Sequence, residues 1–454
     1  MANTYEPLYY GDYLHLPTIL NAQKTHSGNP ATQQAAAHDE MLFIITHQAY
    51  ELWFKQILHE LDSAIALFNH DIVPEHHVAT ALHRLERIAA IGPILFQQID
   101  VLETMTPMDF LDFRNVLYPA SGFQSVQFRL VEIKLGLQSQ QRVSKHLPLS
   151  DEDKARIRAA EQQPSLFTVI ERWLERMPFI QKPSYSFWSE YQRAVAEMFE
   201  HDRRMLKLSS EAGLSVSERV AAEMLAQTDM NEQSFRAFFS EEEYNKLREQ
   251  GVKRLSFKAT QAALFTLLYR EYPLLHLPFR LLETLSAIDE VFSIWRYRHV
   301  QMVMRMIGMK VGTGGSSGYD YLMRATTQHR IFTDFSALSA FLIPRSALPP
   351  LPEEVASMLD FVYIDYLEKR QKEALKRRTV EELKAAFVQR FPTAYFLGEE
   401  EHPDDADGIW LKYSVPDTDT ANEAKLFAAT ITAEAAEKHG IPAMISARAV
   451  YTLQ

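Results

Sequence analysis

The sequence predicts an all-α helical bundle with a small α+β extension at its C-terminal end, on three observations. From about residue 40 to 310, apolar residues recur every three or four positions, the period of helices with one buried face. Pro344, Pro349, Pro350 and Pro352 then fall within nine residues, and each fixes φ and removes a backbone donor. In the last sixty or so residues, short apolar runs separated by turn residues read as strands around one further helix.

In chain order, the N-terminal stretch MANTYEPLYYGDYLHLP shows no charged segment followed by an apolar core, so no signal peptide is visible. Phe43, His47, Tyr50, Phe54, Ile57 and Leu61 form one helical stripe. Leu285, Ile288, Phe292, Trp295, His299, Met302 and Met306 form another, on a helix expected from about 280 to 307 and roughly 42 Å long. The most apolar segment, QAALFTLLYREYPLLHLPF, is broken by Arg270, Glu271 and two prolines and is too short to span a membrane. IPRSALPPLP reads as a linker, and EKRQKEALKRRTVEELK after it as a charge-rich helix with a solvated face. AYFLG, IWLKYSV and AMISARAVYTL read as strands, with ANEAKLFAATITAEAAEKHG as a helix between the last two. The expected division is a helical core over 1–345, a Pro-rich linker with charged helices over 346–392, and an α+β appendage over 393–454.

Composition narrows the function. The 454-residue chain is 46% hydrophobic and 23% charged, ordinary for a soluble globular protein. Its formal charge of −12 opposes a nucleic-acid or anionic-membrane partner, because phosphate neutralisation needs clustered Lys and Arg. We expect neither partner, and a cytoplasmic location. The absence of cysteine removes disulfides, thiolate-bound zinc, iron–sulfur clusters and thiolate-ligated or covalently attached haem. Any haem would be held non-covalently, with histidine as its axial ligand.

Four of the fifteen glycines lie in KVGTGGSSGYDYL, residues 310–322. A phosphate-binding loop needs a strand, then the glycines, then a helix. Here a long helix comes first and Lys310 precedes the glycines, so the loop is read either as a plain turn or as backbone that approaches a bound group. Other candidates also leave two readings open. His299 on its apolar stripe suits an axial iron ligand or a hydrogen-bonded core histidine, with Arg296, Arg298 and Arg305 nearby as candidate partners for haem propionates. His47, one turn after Phe43, suits a contact to a planar N–H ligand or a satisfied histidine. Arg114, among Phe110, Phe113 and Val116, needs an anion, from a substrate carboxylate or an internal acid. A non-haem iron site at His38, Asp39 and His47 is disfavoured, since the three do not share a helix face.

Four segments carry a specific resemblance: YGDYLHLPTILNAQ, HDEMLFIITHQAYELWFKQILHELD, LETMTPMDFLDFRNVLYPASGFQSVQFR and WRYRHVQMVMRMIGMKVGTGGSSGYDYL. In content and order, over roughly residues 8 to 345, they resemble the tryptophan 2,3-dioxygenase family. The resemblance implies that the bundle is a haem-binding core, with one haem b per subunit of a homotetramer. It implies that L-tryptophan and O2 give N-formylkynurenine, the first step of tryptophan degradation by the kynurenine pathway. By position, His299 matches the axial iron ligand and Ser121 a distal-side serine near the haem. Phe43 and His47 match the distal aromatic and the histidine at the indole N–H; whether His47 acts as a base or only orients the substrate stays open. Arg114 matches the carboxylate clamp, and Thr313 the loop threonine at the amino acid's polar end. Tyr10, Tyr13 and Leu14 match a segment of the first thirty-five or so residues that reaches a neighbouring subunit's pocket.

Two features depart from the family pattern. Phe110 stands where some bacterial members carry a tyrosine, and the familiar core has no counterpart to the extension after about 350. Asp320 receives no role. Two alternatives differ in kind: a haem monooxygenase or peroxygenase acting on another indole or aromatic amino acid, and a haem or tryptophan sensor.

Overall fold

A computed structural model describes residues 7–28, 35–138, 149–182, 185–211, 218–308, 323, 326, 329–360, 364–402 and 405–450. The chain divides into two compact units, Met1–Asp360 and Phe361–Gln454.

The first unit is helical. Two short helices, α1 (Tyr10–Tyr13) and α2 (Leu16–Leu20), precede the long α3 (Asp39–Phe68) and α4 (Glu75–Leu102). Then come α5 (Pro107–Arg114), α6 (Val126–Leu135), α7 (Asp151–Glu161) and α8 (Leu166–Leu174). A two-residue strand pair, β1 (Gln181–Lys182) with β2 (Tyr185–Ser186), leads into α9 (Phe187–Glu211), α10 (Glu218–Phe239), α11 (Glu241–Glu249) and α12 (Phe257–Leu268). The longest helix is α13 (Pro273–Ile307), followed by the short α14 (Thr333–Ala337) and α15 (Glu353–Leu359).

Local chemistry sets many of these starts. Thr106 and Asp109 form a reciprocal capping box on α5, and Ser125, Ser150, Ser165 and Ser256 each accept a backbone N–H from the first turn of α6, α7, α8 and α12. Each such cap contributes about 1 kcal/mol. The helix expected from about 280 begins at Pro273 instead. That proline occupies the first turn, where its missing N–H costs nothing, and Pro278 is carried inside the helix.

The apolar stripes bury as their period requires. Tyr50, Phe54, Ile57 and Leu61 of α3 are buried, as are Leu285, Ile288, Phe292, Met302 and Met306 of α13. Helix α4 lies against both α3 and α13. At Gly92 it approaches α13 so closely that an added Cβ would stand 2.0 Å from Val291 Cγ1. A larger residue there would force the two helices apart.

The second unit has its own core. Helix α16 (Ile364–Arg390) precedes β3 (Tyr395–His402), β4 (Asp405–Val415), α17 (Thr418–His439) and β5 (Ala443–Ala449). Strand β4 is central, antiparallel to β3 and parallel to β5, with α17 as the crossover a parallel pair needs. Ile409, Leu411, Tyr413 and Val415 alternate onto one sheet face, where they meet Val380, Leu383 and Phe387 of α16 and Ala421, Ala424 and Ala428 of α17. An all-α core with a small α+β extension is thus the architecture of the chain.

Candidate functional site

Three helices bring the sequence candidates together. On α3, Phe43 and His47 are one turn apart, their ring centroids 4.1 Å from each other. On α5, Phe110 and Phe113 stand 5.8 and 5.6 Å from Phe43, so the three phenylalanines form one aromatic wall beside the imidazole. Arg114 follows Phe113 at the end of α5 and is half-buried.

His47 Nδ1 lies 2.7 Å from the Phe43 carbonyl oxygen. A carbonyl only accepts, so Nδ1 carries the proton and Nε2 is the ring's acceptor. Burial lowers the pKa of His47 against the opposing effects of the Phe43 carbonyl and Glu51. The imidazole is therefore neutral at neutral pH.

On α13, the pKa of His299 is lowered to about 4, first by burial and then by the repulsion that two protonated rings, His299 and His47, would suffer. It too is neutral at pH 7. The Trp295 indole, one turn earlier, lies parallel to the His299 ring. Trp295 is boxed by Tyr50 and Phe54 of α3 at 6.0 Å each and by Phe128 of α6 at 4.9 Å. The proximal candidate is thus fixed by the aromatic core shared by α3, α6 and α13. A neutral imidazole among apolar walls is a donor that fits haem iron.

Arg296 is buried and binds Glu132 at 3.1 Å and the His329 carbonyl at 3.1 Å. Arg298 pairs with Asp100 and, at 3.5 Å, with Glu103; Arg305 lies 4.0 Å from Glu103. Each of the three already faces a carboxylate of this chain. The buried Glu132–Arg296–His329 cluster escaped the sequence reading because its members lie on three separate segments.

Ser121 caps a 3-10 turn, Gly122–Gln124, accepting from the Phe123 N–H at 3.4 Å. In the single chain Tyr10 and Tyr13 are exposed and Leu14 is half-buried. Thr313, the glycine loop and Asp320 lie outside the described residues. Among the described residues, no group of three or more His, Asp or Glu is placed to hold a metal ion, so His38, Asp39 and His47 do not assemble as one site.

The family model described as tryptophan 2,3-dioxygenase matches residues 3–342. The chain belongs to the tryptophan 2,3-dioxygenase family. It is 48% identical to the tryptophan 2,3-dioxygenase of Bdellovibrio bacteriovorus over 367 residues, covering 79% of this chain and 99% of that relative. It is 43% identical to the Dictyostelium discoideum enzyme, over 78% of this chain and 89% of the relative. With tryptophan 2,3-dioxygenase B of Danio rerio the identity is 42%, over 75% and 84% of the two chains. The family match ends at residue 342, before the second unit begins. In this member of the tryptophan 2,3-dioxygenase family, Phe110 contributes to the wall through its ring alone.

Proposed function

We propose that this chain opens the indole pyrrole ring of L-tryptophan with O2, inserting both oxygen atoms to give N-formylkynurenine, with haem b held by His299. Family membership across residues 3–342 carries the reaction. The neutral imidazole of His299 beside Trp295 supports the cofactor assignment. When bound, haem supplies the binding and activation of O2.

The remaining work is orientation and exclusion of water. Phe43, Phe110 and Phe113 offer a wall for the flat face of an indole. The free Nε2 of His47 accepts the indole N–H, while Nδ1 is anchored on the Phe43 carbonyl. A ring so anchored and kept neutral orients the substrate. Arg114 is proposed to take the substrate carboxylate, and Thr313 the polar end of the amino acid. Ser121 is proposed to border the haem.

The N-terminal segment supports an assembly. Leu8, Tyr9, Tyr10, Tyr13 and Leu20 are 66, 70, 74, 67 and 69% exposed, a cluster of large apolar groups that in water calls for a cover. We assign that cover to a neighbouring subunit of a homotetramer, with Tyr10, Tyr13 and Leu14 completing its pocket. A cytoplasmic location is proposed with it; among the described residues no helix is long and apolar enough to cross a membrane. No observation favours the monooxygenase, peroxygenase or sensor readings.

The test is turnover. Haem-loaded protein, reduced and given L-tryptophan and O2, is expected to develop the absorbance of N-formylkynurenine. A fully loaded, reduced sample that forms no product would overturn the proposal.

A further inference from the structure

The first turn of α3 contains a carboxylate that the aromatic wall does not use. Glu40 is fully buried. It accepts the backbone N–H of His26 at 2.7 Å, that of Ser27 at 2.9 Å and the Ser27 hydroxyl at 2.5 Å. The same hydroxyl oxygen accepts the Ala37 N–H at 2.8 Å. Burial alone would raise this carboxyl's pKa, yet the Ser27 and His26 donors keep it below its ordinary value. The carboxylate is therefore the hub of a fully used set of donors.

A second grip lies two turns along. Gln48 Oε1 accepts from Gln23 Nε2 at 2.6 Å, and Gln48 Nε2 donates to the Ala22 carbonyl at 3.3 Å. The segment that follows α2 is thus held against α3 at two heights. At about 100° per residue, Glu40, Phe43 and His47 fall within about 60° of one another on the helix. The root of the N-terminal arm and the indole-facing pair occupy one stripe.

We infer that Glu40 is a positioning residue for the tryptophan site, holding the His26–Ser27 turn on α3 and so setting where the arm bearing Tyr10, Tyr13 and Leu14 leaves its subunit. This rests on the proposed reading that the arm completes a neighbour's pocket. Helix α3 then presents Phe43 and His47 to its own site and, through Glu40, aims a wall of the next one. Glu40 acts through the arm and touches no substrate.

The experiment uses the full-length, haem-loaded protein. Glu40→Gln keeps the side chain's length but removes its charge and turns an amide donor toward backbone donors. Weakening a charge-assisted hydrogen-bond set of this kind is expected to raise KM for L-tryptophan about tenfold. The value of kcat should stay within about twofold, and the haem spectrum should not change. Ser27→Ala, which deletes one donor, should move KM the same way by less and serves if Glu40→Gln folds poorly. In a Tyr13→Ala background Glu40→Gln should add little, because both changes act through the arm. An unchanged KM, or a full additional effect in that background, would overturn the inference. Arm placement is also read without turnover: the chain has no cysteine, so a spin label at Leu20→Cys reports it alone. Glu40→Gln should loosen that label, and an unaltered spectrum would overturn the inference. Absence of turnover in the unaltered protein would instead count against the proposed reaction.

Discussion

His299 lies parallel to Trp295, with ring planes 9° apart and centroids 5.7 Å apart. The two residues are one helical turn apart on α13, and the indole is wedged among Tyr50, Phe54 and Phe128. The imidazole plane is therefore set by the core of the unit. His299→Ala should abolish stable haem loading, seen as loss of the Soret band, while far-UV circular dichroism stays that of the parent. A normal haem spectrum in this variant would place the ligand elsewhere.

His47 gives a sharper test of substrate orientation. Its Nδ1 is committed to the Phe43 carbonyl at 2.7 Å, so only Nε2 can meet the indole N–H. His47→Ala should lower kcat/KM for L-tryptophan about tenfold, the value of one hydrogen bond. The variant should also lose most of its preference for L-tryptophan over 1-methyl-L-tryptophan, which has no N–H to offer. Equal preference in parent and variant would remove His47 from that contact.

The Glu132–Arg296–His329 cluster predicts a stability effect. Glu132 accepts from Arg296 at 3.1 Å and faces His329 Nδ1 at 3.2 Å, with all three side chains buried. Burial would raise the Glu132 pKa most, but the His329 hydrogen bond and the Arg296 charge hold it down. Glu132→Ala would leave a buried guanidinium without its carboxylate, a loss of about 3–5 kcal/mol. Denaturant unfolding of the haem-loaded protein measures it, and a loss under 1 kcal/mol would contradict the reading.

Much of this was legible in the sequence where the signal was local. The stripes through Tyr50, Phe54, Ile57 and Leu61 and through Leu285, Ile288 and Phe292 are periodic, and their burial follows from that period. Phe43 and His47 meet because they are one turn apart. What failed to show was long-range pairing. Arg296 reads as a rim cation until Glu132, 164 residues away, is found beside it. Glu40 reads as an ordinary acid at a helix start, yet it is buried by a turn fourteen residues upstream. The charge-rich helix α16 hides Val380, Leu383 and Phe387 among its charges, and these three join the core of the second unit. The helix expected from about 280 starts seven residues earlier, at Pro273, and carries Pro278 as an interior residue.

The second unit has its own acid response. His439, then Lys438 and Arg378, hold the Glu382 carboxyl at about 2, below its ordinary value of 4.5. A carboxyl depressed on folding stabilises the fold above its unfolded pKa and loses that contribution as pH falls through the folded one. The stability of this unit should therefore decline between about pH 4.5 and 2. Trp410 is the one tryptophan of the unit. The difference in acid titration between the parent and Glu382→Gln, followed by tryptophan fluorescence, should be a loss of pH dependence in that window. Superimposable curves would show that the ion pairs contribute nothing.

In the proposed reaction both atoms of one O2 enter L-tryptophan at a haem held by His299. Mass spectrometry of the product formed under 18O2, analysed before the formyl oxygen can exchange with water, tests it most directly. The expected product is N-formylkynurenine heavier by two labelled oxygens. A product carrying one labelled oxygen, or none, would contradict it.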